Sequence, residues 1–361
     1  MSEDIRANPL DRRKEPRRII QGVIASKEDL FKVHEMEIHS KEMRKQGVYR
    51  KEFIQELLLR GYEGLVFEER ERDTIGKSNG KPTWGEVYTY SEGELRGPSV
   101  AIYKGYDEEV PQAAYCEKIW SIMGKIMLDN CRVPTIDLVT DKENKDVGVL
   151  SYRLLRRQTE ELIDMRMASY KKFSRQQLKA MKGYLYIEDL FECVRLEIGD
   201  DEKFGPIKQS MLEVIMLDCM VNNPDRHDEN WGIVKSKDGQ KYDLAVFDHS
   251  ATFVDLAKES PPGRTVNGWA GSYIRVTPPE NWNNIHLVGD TGGTILGYIY
   301  KQYPSEFESF MTKFNDRIET FYQTINVENS HVEMNRMRKG IRAKQKQVDR
   351  MMGRGEDTWM R

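Results

Sequence analysis

The stretch from Met211 to Thr252 constrains this chain more than any other. Met211, Leu212, Val214, Ile215, Met216, Leu217, Cys219, Met220 and Val221 are apolar around most of a helical circumference, which predicts a buried helix rather than a surface one. That helix has to end at Asn222-Asn223-Pro224, because a residue before proline is pushed out of the helical region. The loop beyond it is crowded with Asp225, Arg226, His227, Asp228, Glu229 and Asn230. Two short apolar runs follow, Trp231 to Val234 and Leu244 to Phe247, separated by Asp238-Gly239, and they predict a hairpin. A hairpin folds its ends together, so Asn230 at the entry and Asp248 at the exit are expected side by side, with Asp225 converging on them.

Oxygen donors of this hardness suit Mg²⁺, which takes one or two carboxylates and completes its shell with water and phosphates. The D-x-x-x-x-N spacing from Asp225 to Asn230, with a further acid after a hairpin, is the arrangement protein kinases use: a base for the hydroxyl, then an amide and a carboxylate on the metal. The plainer reading is a polar loop with a surface hairpin, which would need neither an apolar helix before it nor an acid at the strand's end. The run N-x-P-D-R-H-D-E-N-W-G, then A-V-F-D-H-S, resembles the catalytic core of the HipA-like kinases, whose pattern is D-x-H-x-x-N followed by a hairpin and a second Asp. It is similar, less closely, to the D-R-H-x-x-N loop of the phosphoinositide kinases. Residue by residue, the resemblance puts Asp225 at the catalytic base, Asn230 and Asp248 on the metal, and His227 at the histidine that props the loop. His249 and Ser250 follow Asp248 where eukaryotic kinases have Phe-Gly, so regulation by a flipping phenylalanine is not implied.

The 361 residues suffice for two lobes or domains with cores of their own. A net charge of -3, from 56 basic and 59 acidic residues, gives no global attraction to nucleic acid or an acidic membrane. No run approaches the roughly 20 apolar residues of a membrane span, so no transmembrane segment is expected. The start lacks an apolar segment, and a secretory signal is not expected. Cys116, Cys131, Cys193 and Cys219 have no C-x-x-C spacing and read as reduced residues of a cytoplasmic protein.

Upstream, Gly76-Lys77-Ser78-Asn79-Gly80-Lys81 precedes an expected strand, Trp84 to Tyr90. Glycines let backbone N–H groups approach phosphate, so Gly76, Ser78 and Gly80 are candidates for a loop over ATP, although a solvent loop would look the same. Ser91 to Glu94 reads as a hairpin turn and Ser99 to Lys104 as the next strand, where Lys104 shares a face with Ile102 and Val100. A lysine on an apolar strand face needs an anion. The helix expected from Val110 to Met127 carries Glu117 on the same face as Ala113, Cys116, Trp120, Met123 and Met127, and a buried carboxylate needs a cation. Pairing Lys104 with Glu117 places the ammonium where it can hold nucleotide phosphates. The alternative is a helix with Glu117 at the edge of its stripe and a lysine capping a strand.

Thr135 to Thr140 and Val147 to Leu155 read as two strands. In a kinase the second runs into the hinge that binds adenine, here around Ser151 to Leu154, which makes Tyr152 and Leu154 nucleotide candidates with Ile102 as the apolar roof. Glu160 to Glu197 has a helical, amphipathic pattern, the Thr291-Gly292-Gly293 run reads as a turn, and Ser305 to Ile325 as a further helix. Both ends are basic: Arg12, Arg13, Lys14, Arg17 and Arg18 near the start, and a helix over 330–354 near the close. Solvated segments are the default for such runs; an anionic partner (nucleic acid, inositol phosphate or a membrane surface) is the functional alternative.

The resemblance covers Gly76 to Asp255 and implies an α+β, bilobal protein-kinase-like fold with a small β-rich N-lobe and a larger, mainly helical C-lobe. The expected division is a helical extension with a basic arm over 1–60, the N-lobe over 61–155, the C-lobe over 156–329 and a basic helix or tail over 330–361. The family further implies ATP with Mg²⁺ and a protein acceptor with a Ser or Thr hydroxyl. Some members phosphorylate themselves near the glycine loop, where Ser78 is the matching position. Other readings are a phosphoinositide or small-molecule kinase, a pseudokinase acting as a binding module, and a metal-dependent hydrolase built on His227, Asp228, Asp248 and His249.

Overall fold

The computed structural model describes residues 20–21, 64–74, 82–91, 94–106, 112–141, 147–156, 159–181, 185–223, 225–250, 252–253, 274–275, 291–325 and 332–352. In chain order the strands are β1 (Ile20–Gln21), β2 (Gly64–Thr74), β3 (Thr83–Ser91), β4 (Glu94–Tyr106), β5 (Cys131–Arg132), β6 (Ile136–Asp141), β7 (Val147–Tyr152), β8 (Glu160–Asp164), β9 (Leu185–Tyr186), β10 (Trp231–Ser236), β11 (Tyr242–Val246) and β12 (Ile274–Arg275). The helices are α1 (Gln112–Met127), α2 (Met165–Ser169), α3 (Arg175–Ala180), α4 (Ile187–Ile198), α5 (Asp201–Val221), α6 (Thr291–Gln302), α7 (Pro304–Thr324) and α8 (Val332–Met351). The chain divides into two compact units, Met1–Lys118 with Thr135–Arg153, and Ile119–Pro134 with Leu154–Arg361; α1 contributes residues to both.

The first unit is built on an antiparallel sheet of order β1-β6-β7-β4-β3-β2. Side chains alternate along β4, so Ala101 and Tyr103 enter the core with Val87, Ile136, Leu138, Val149 and Leu150. Ile102 and Lys104 stand on the opposite, half-buried face. Gly148 on β7 lies under the Tyr103 ring: a Cβ there would meet the ring at 2.6 Å and the Lys104 carbonyl at 2.7 Å, so no side chain fits. Of the helical extension expected over 1–60, Ile20–Gln21 lie among the described residues, and they form a strand, β1, paired with β6. The open edge of β6 offers backbone partners that outweigh helical patterning. The basic arm at Arg12 to Arg18 lies outside the described residues.

The second unit is organised around α5. Its start is capped by Asp200, whose side chain accepts from the Glu202 and Lys203 amides, and nearly every residue from Ile207 to Val221 is buried. It stops where Pro224 requires: Asn222 takes a left-handed conformation, φ 59°, and returns its amide to the Asp218 carbonyl. Helices α4, α6, α7 and α8 and strand β11 pack against it. A four-stranded sheet of order β5-β11-β10-β8 contains the hairpin of β10 and β11, whose register pairs Trp231 with Val246. The closing helix α8 is not solvated all round. Met337, Ile341 and Val348 are buried at helical spacing, and the exposed face carries Lys339, Arg342, Lys346 and Arg350.

Two expectations require correction. Glu160 to Asp164 is not helical: it forms β8 at the edge of the second sheet, paired antiparallel with β10. Arg132 draws Glu160 there through two hydrogen bonds of 2.7 and 2.8 Å, a tertiary contact that overrides the local pattern. The Thr291-Gly292-Gly293 run is not a turn but the first turn of α6. The four cysteines are free thiols, with Cys116, Cys193 and Cys219 buried. Among the described residues no helix is long and apolar enough to cross a membrane.

Candidate active site

Within the first unit, period two on β4 and the helical register of α1 bring Lys104 and Glu117 together. The ammonium lies 3.0 Å from the carboxylate, with Glu117 1% and Lys104 12% exposed. Burial makes such a pair mutually dependent, since either charge alone would be stranded away from water. Ile102 sits two residues before Lys104 on the same face of the strand. Gly76, Ser78 and Gly80 lie outside the described residues. Tyr152 ends β7 with its amide donated to the Thr135 carbonyl (2.9 Å) and its hydroxyl to Asp137 (2.8 Å). The next amide, that of Arg153, bonds to Val100 (3.0 Å). Both donors at this end of the strand are thus engaged within the chain. In the second unit, the Leu154 carbonyl accepts from Arg132 at 3.3 Å.

The loop after α5 is tightly wound. The Asp225 carbonyl accepts from the His227 amide (2.9 Å) and from the Asn230 side-chain Nδ2 (2.6 Å), and the His227 carbonyl accepts from the Asn230 amide (3.1 Å). His227 Nδ1 in turn accepts from the Glu229 amide at 3.1 Å, so the histidine props the loop. Tying Nδ2 to Asp225 commits the donor end of the Asn230 amide and leaves Oδ1, the end a cation requires. The hairpin closes the set: the Phe247 amide bonds to the Asn230 carbonyl at 3.0 Å, which sets Asp248 beside the loop. Asp248 adopts φ 56°, a strained conformation for a residue with a Cβ, and accepts from Ser250 Oγ at 3.2 Å.

Burial pushes the Asp225 carboxyl above its ordinary value, and the Asp248 charge adds to that shift while His227 and Arg226 oppose it. Two acids within mutual influence in a half-buried site are a natural seat for a cation. The other acids of the loop are spoken for. Arg166 on α2 binds Asp228 through Nε at 3.0 Å and Nη2 at 3.2 Å, and Glu229 through Nη1 at 2.5 Å. His249 stacks on Trp120 with ring centroids 3.5 Å apart. The set His227, Asp228, Asp248 and His249, considered above for a hydrolase, is therefore not gathered into one centre. Among the described residues no group of three or more His, Cys, Asp or Glu side chains is placed to hold a metal alone.

A buried ion pair that sequence patterning does not single out holds this loop. Arg226 and Asp218 are both 0% exposed, with Arg226 Nε 2.7 Å and Nη2 3.1 Å from the two carboxylate oxygens. Asn223 Nδ2 adds a third bond to Asp218 at 2.8 Å, and Asn223 Oδ1 accepts the Asp225 amide at 3.2 Å. A signal was present: Asp218 interrupts the apolar run from Val214 to Val221, and a carboxylate there demands a cation nearby.

No family model matches the sequence, and no curated relative matches it. The fold is similar to that of the proinflammatory kinase CtkA of Helicobacter pylori, at a TM-score of 0.55 and 13% identity over 81% of this chain and 97% of that one. A second similar structure is the HipA toxin–antitoxin complex with HipB and operator DNA from Shewanella oneidensis MR-1, at a TM-score of 0.44 and 12% identity over 79% of this chain and 66% of that one. The similarity to CtkA is one of fold.

Proposed function

We propose that this chain is an ATP- and Mg²⁺-dependent phosphotransferase of the HipA-like kind that acts on Ser or Thr hydroxyls of a protein. The observation that carries the proposal is the gathering of Asp225, the Asn230 amide and Asp248 at the mouth of one hairpin. The Lys104–Glu117 pair, in the order kinases place it along the chain, is its support.

In this reading Asn230 Oδ1 and the Asp248 carboxylate would hold Mg²⁺, which would supply positive charge to the nucleotide phosphates. Asp225 orients the acceptor hydroxyl and takes its proton as the oxygen bonds to the γ-phosphorus and the bond to the β-phosphate oxygen breaks. Its raised proton affinity suits that role. Lys104, fixed by Glu117, supplies positive charge to the α- and β-phosphates. Ile102 and the backbone near Leu154 are the candidates to receive the base, and Gly76, Ser78 and Gly80 to cover the phosphates. Positioning and charge stabilisation carry most of such a reaction.

Incubation with γ-labelled ATP and Mg²⁺, against a protein mixture, phosphoinositide vesicles and the chain alone, tests this directly. Label on Ser or Thr of protein, lost when Mg²⁺ is chelated, is the expected result. Label on lipid would move the acceptor to the phosphoinositide class. Nucleotide binding without label on any acceptor would make the chain a binding module.

A further inference from the structure

Arg226 occupies a central place in the loop. Its guanidinium has five N–H donors, and all five are used. Nε and one Nη2 bond go to Asp218 at 2.7 and 3.1 Å, Nη1 bonds to the Asn230 carbonyl at 2.8 Å and the Phe247 carbonyl at 3.3 Å, and Nη2 meets His249 Nδ1 at 3.0 Å. Its carbon lies 5.4 Å from the Trp120 ring, the ring on which His249 stacks. One planar group, anchored to the last turns of α5, therefore grips the backbone at Asn230 and the residues on both sides of Asp248.

That grip falls on a strained stretch of backbone. The Phe247 carbonyl belongs to the peptide plane that enters Asp248, and the tilt of that plane governs the left-handed φ of 56°. Holding Phe247 on one side and His249 on the other brackets Asp248 in this conformation. The same nitrogen that holds Phe247 holds Asn230, so a rigid fork ties the two residues together a second time, beside the bond from the Phe247 amide to the Asn230 carbonyl. A lysine would keep the charge but not the fork.

We infer that Arg226, seated by Asp218, is a positioning residue that sets the spacing of Asn230 and Asp248 and so the affinity of the site for Mg²⁺. The inference rests on the proposed function, since it concerns the metal held by those two residues. Loss of a partner that orients metal ligands typically weakens metal affinity by about 10- to 100-fold.

The test is ATP binding by calorimetry across a Mg²⁺ series for the wild type, Arg226→Lys, Asp218→Asn and Ile299→Ala, with thermal unfolding of each. Ile299 is buried in α6, and its truncation is a control for lost stability alone. The expected result is a folded Arg226→Lys protein that needs about tenfold or more Mg²⁺ for half-maximal binding, with affinity for ATP in EDTA unchanged. Asp218→Asn should shift in the same direction, and Ile299→Ala should titrate like wild type. If Arg226→Lys does not fold, Asp218→Asn decides. Wild-type Mg²⁺ dependence in the folded variants, an equal shift in Ile299→Ala, or failure of both loop variants to fold overturns the positioning role while leaving the proposed function standing. Absence of Mg²⁺-dependent ATP binding in the wild type overturns the proposed function, and the positioning role with it.

Discussion

Lys104 and Glu117 meet at 3.0 Å with the carboxylate almost wholly removed from water. Such a pair contributes less to net stability than its geometry implies, because desolvation offsets the attraction, yet removing one partner strands the other. Lys104→Met is therefore expected to cost about 3–5 kcal/mol in unfolding free energy, and Glu117→Leu a similar amount. The double variant should recover most of that loss, since two apolar side chains replace two charges. Nucleotide affinity should not recover with it. Chemical denaturation and ATP titration of the three variants separate the stability role from the phosphate-holding role.

Asp248 provides a test in which the usual ranking of two residues inverts. At an ordinary position alanine is more stable than glycine, but at φ 56° the Cβ itself is the burden. Asp248→Gly should thus be more stable than Asp248→Ala by about 1 kcal/mol, although both lack the carboxylate. Equal stabilities, or alanine ahead, would show that Asp248 is not held in the left-handed region in solution.

The Arg132–Glu160 contact gives a signature in pH. The Arg132 guanidinium beside Glu160 holds its carboxyl down at about 2, against an ordinary value of 4.5. A group whose folded value is depressed stabilises the fold above its unfolded value and loses that contribution as pH falls through the folded one. The stability gap between wild type and Glu160→Gln should be constant above about pH 5 and shrink steadily toward about pH 2. Denaturant titrations across that range measure it, and a gap that does not narrow in acid would rule the contact out.

How far the sequence foretold this structure depends on the distance over which each element is determined. The helix ending before Pro224 and the hairpin around Asp238-Gly239 follow from periodicity and turn chemistry within a few residues, so the approach of Asn230 to Asp248 was legible. Lys104 and Glu117 were legible as two charges on apolar faces that needed each other. β8 was not, because Glu160 and Glu161 read as a helix surface until Arg132, β10 and the edge of a sheet are in place. The bond from Arg226 to Asp218 was hidden differently: the buried acid at position 218 announced a need, but several nearby cations were equally plausible partners. Order along the chain puts Tyr152 and Leu154 at a hinge, but the bonds of the Tyr152 and Arg153 amides to Thr135 and Val100 depend on register that no local pattern carries.

The most direct test of the central claim compares Asp225→Ala and Asp248→Ala for two properties at once, γ-phosphoryl transfer from labelled ATP and Mg²⁺-dependent ATP binding. Transfer should vanish in both. Asp225→Ala should still bind ATP with Mg²⁺, whereas Asp248→Ala should lose the Mg²⁺-dependent part of binding. Transfer at the wild-type rate in either variant would contradict the assignment of these two acids to phosphoryl transfer.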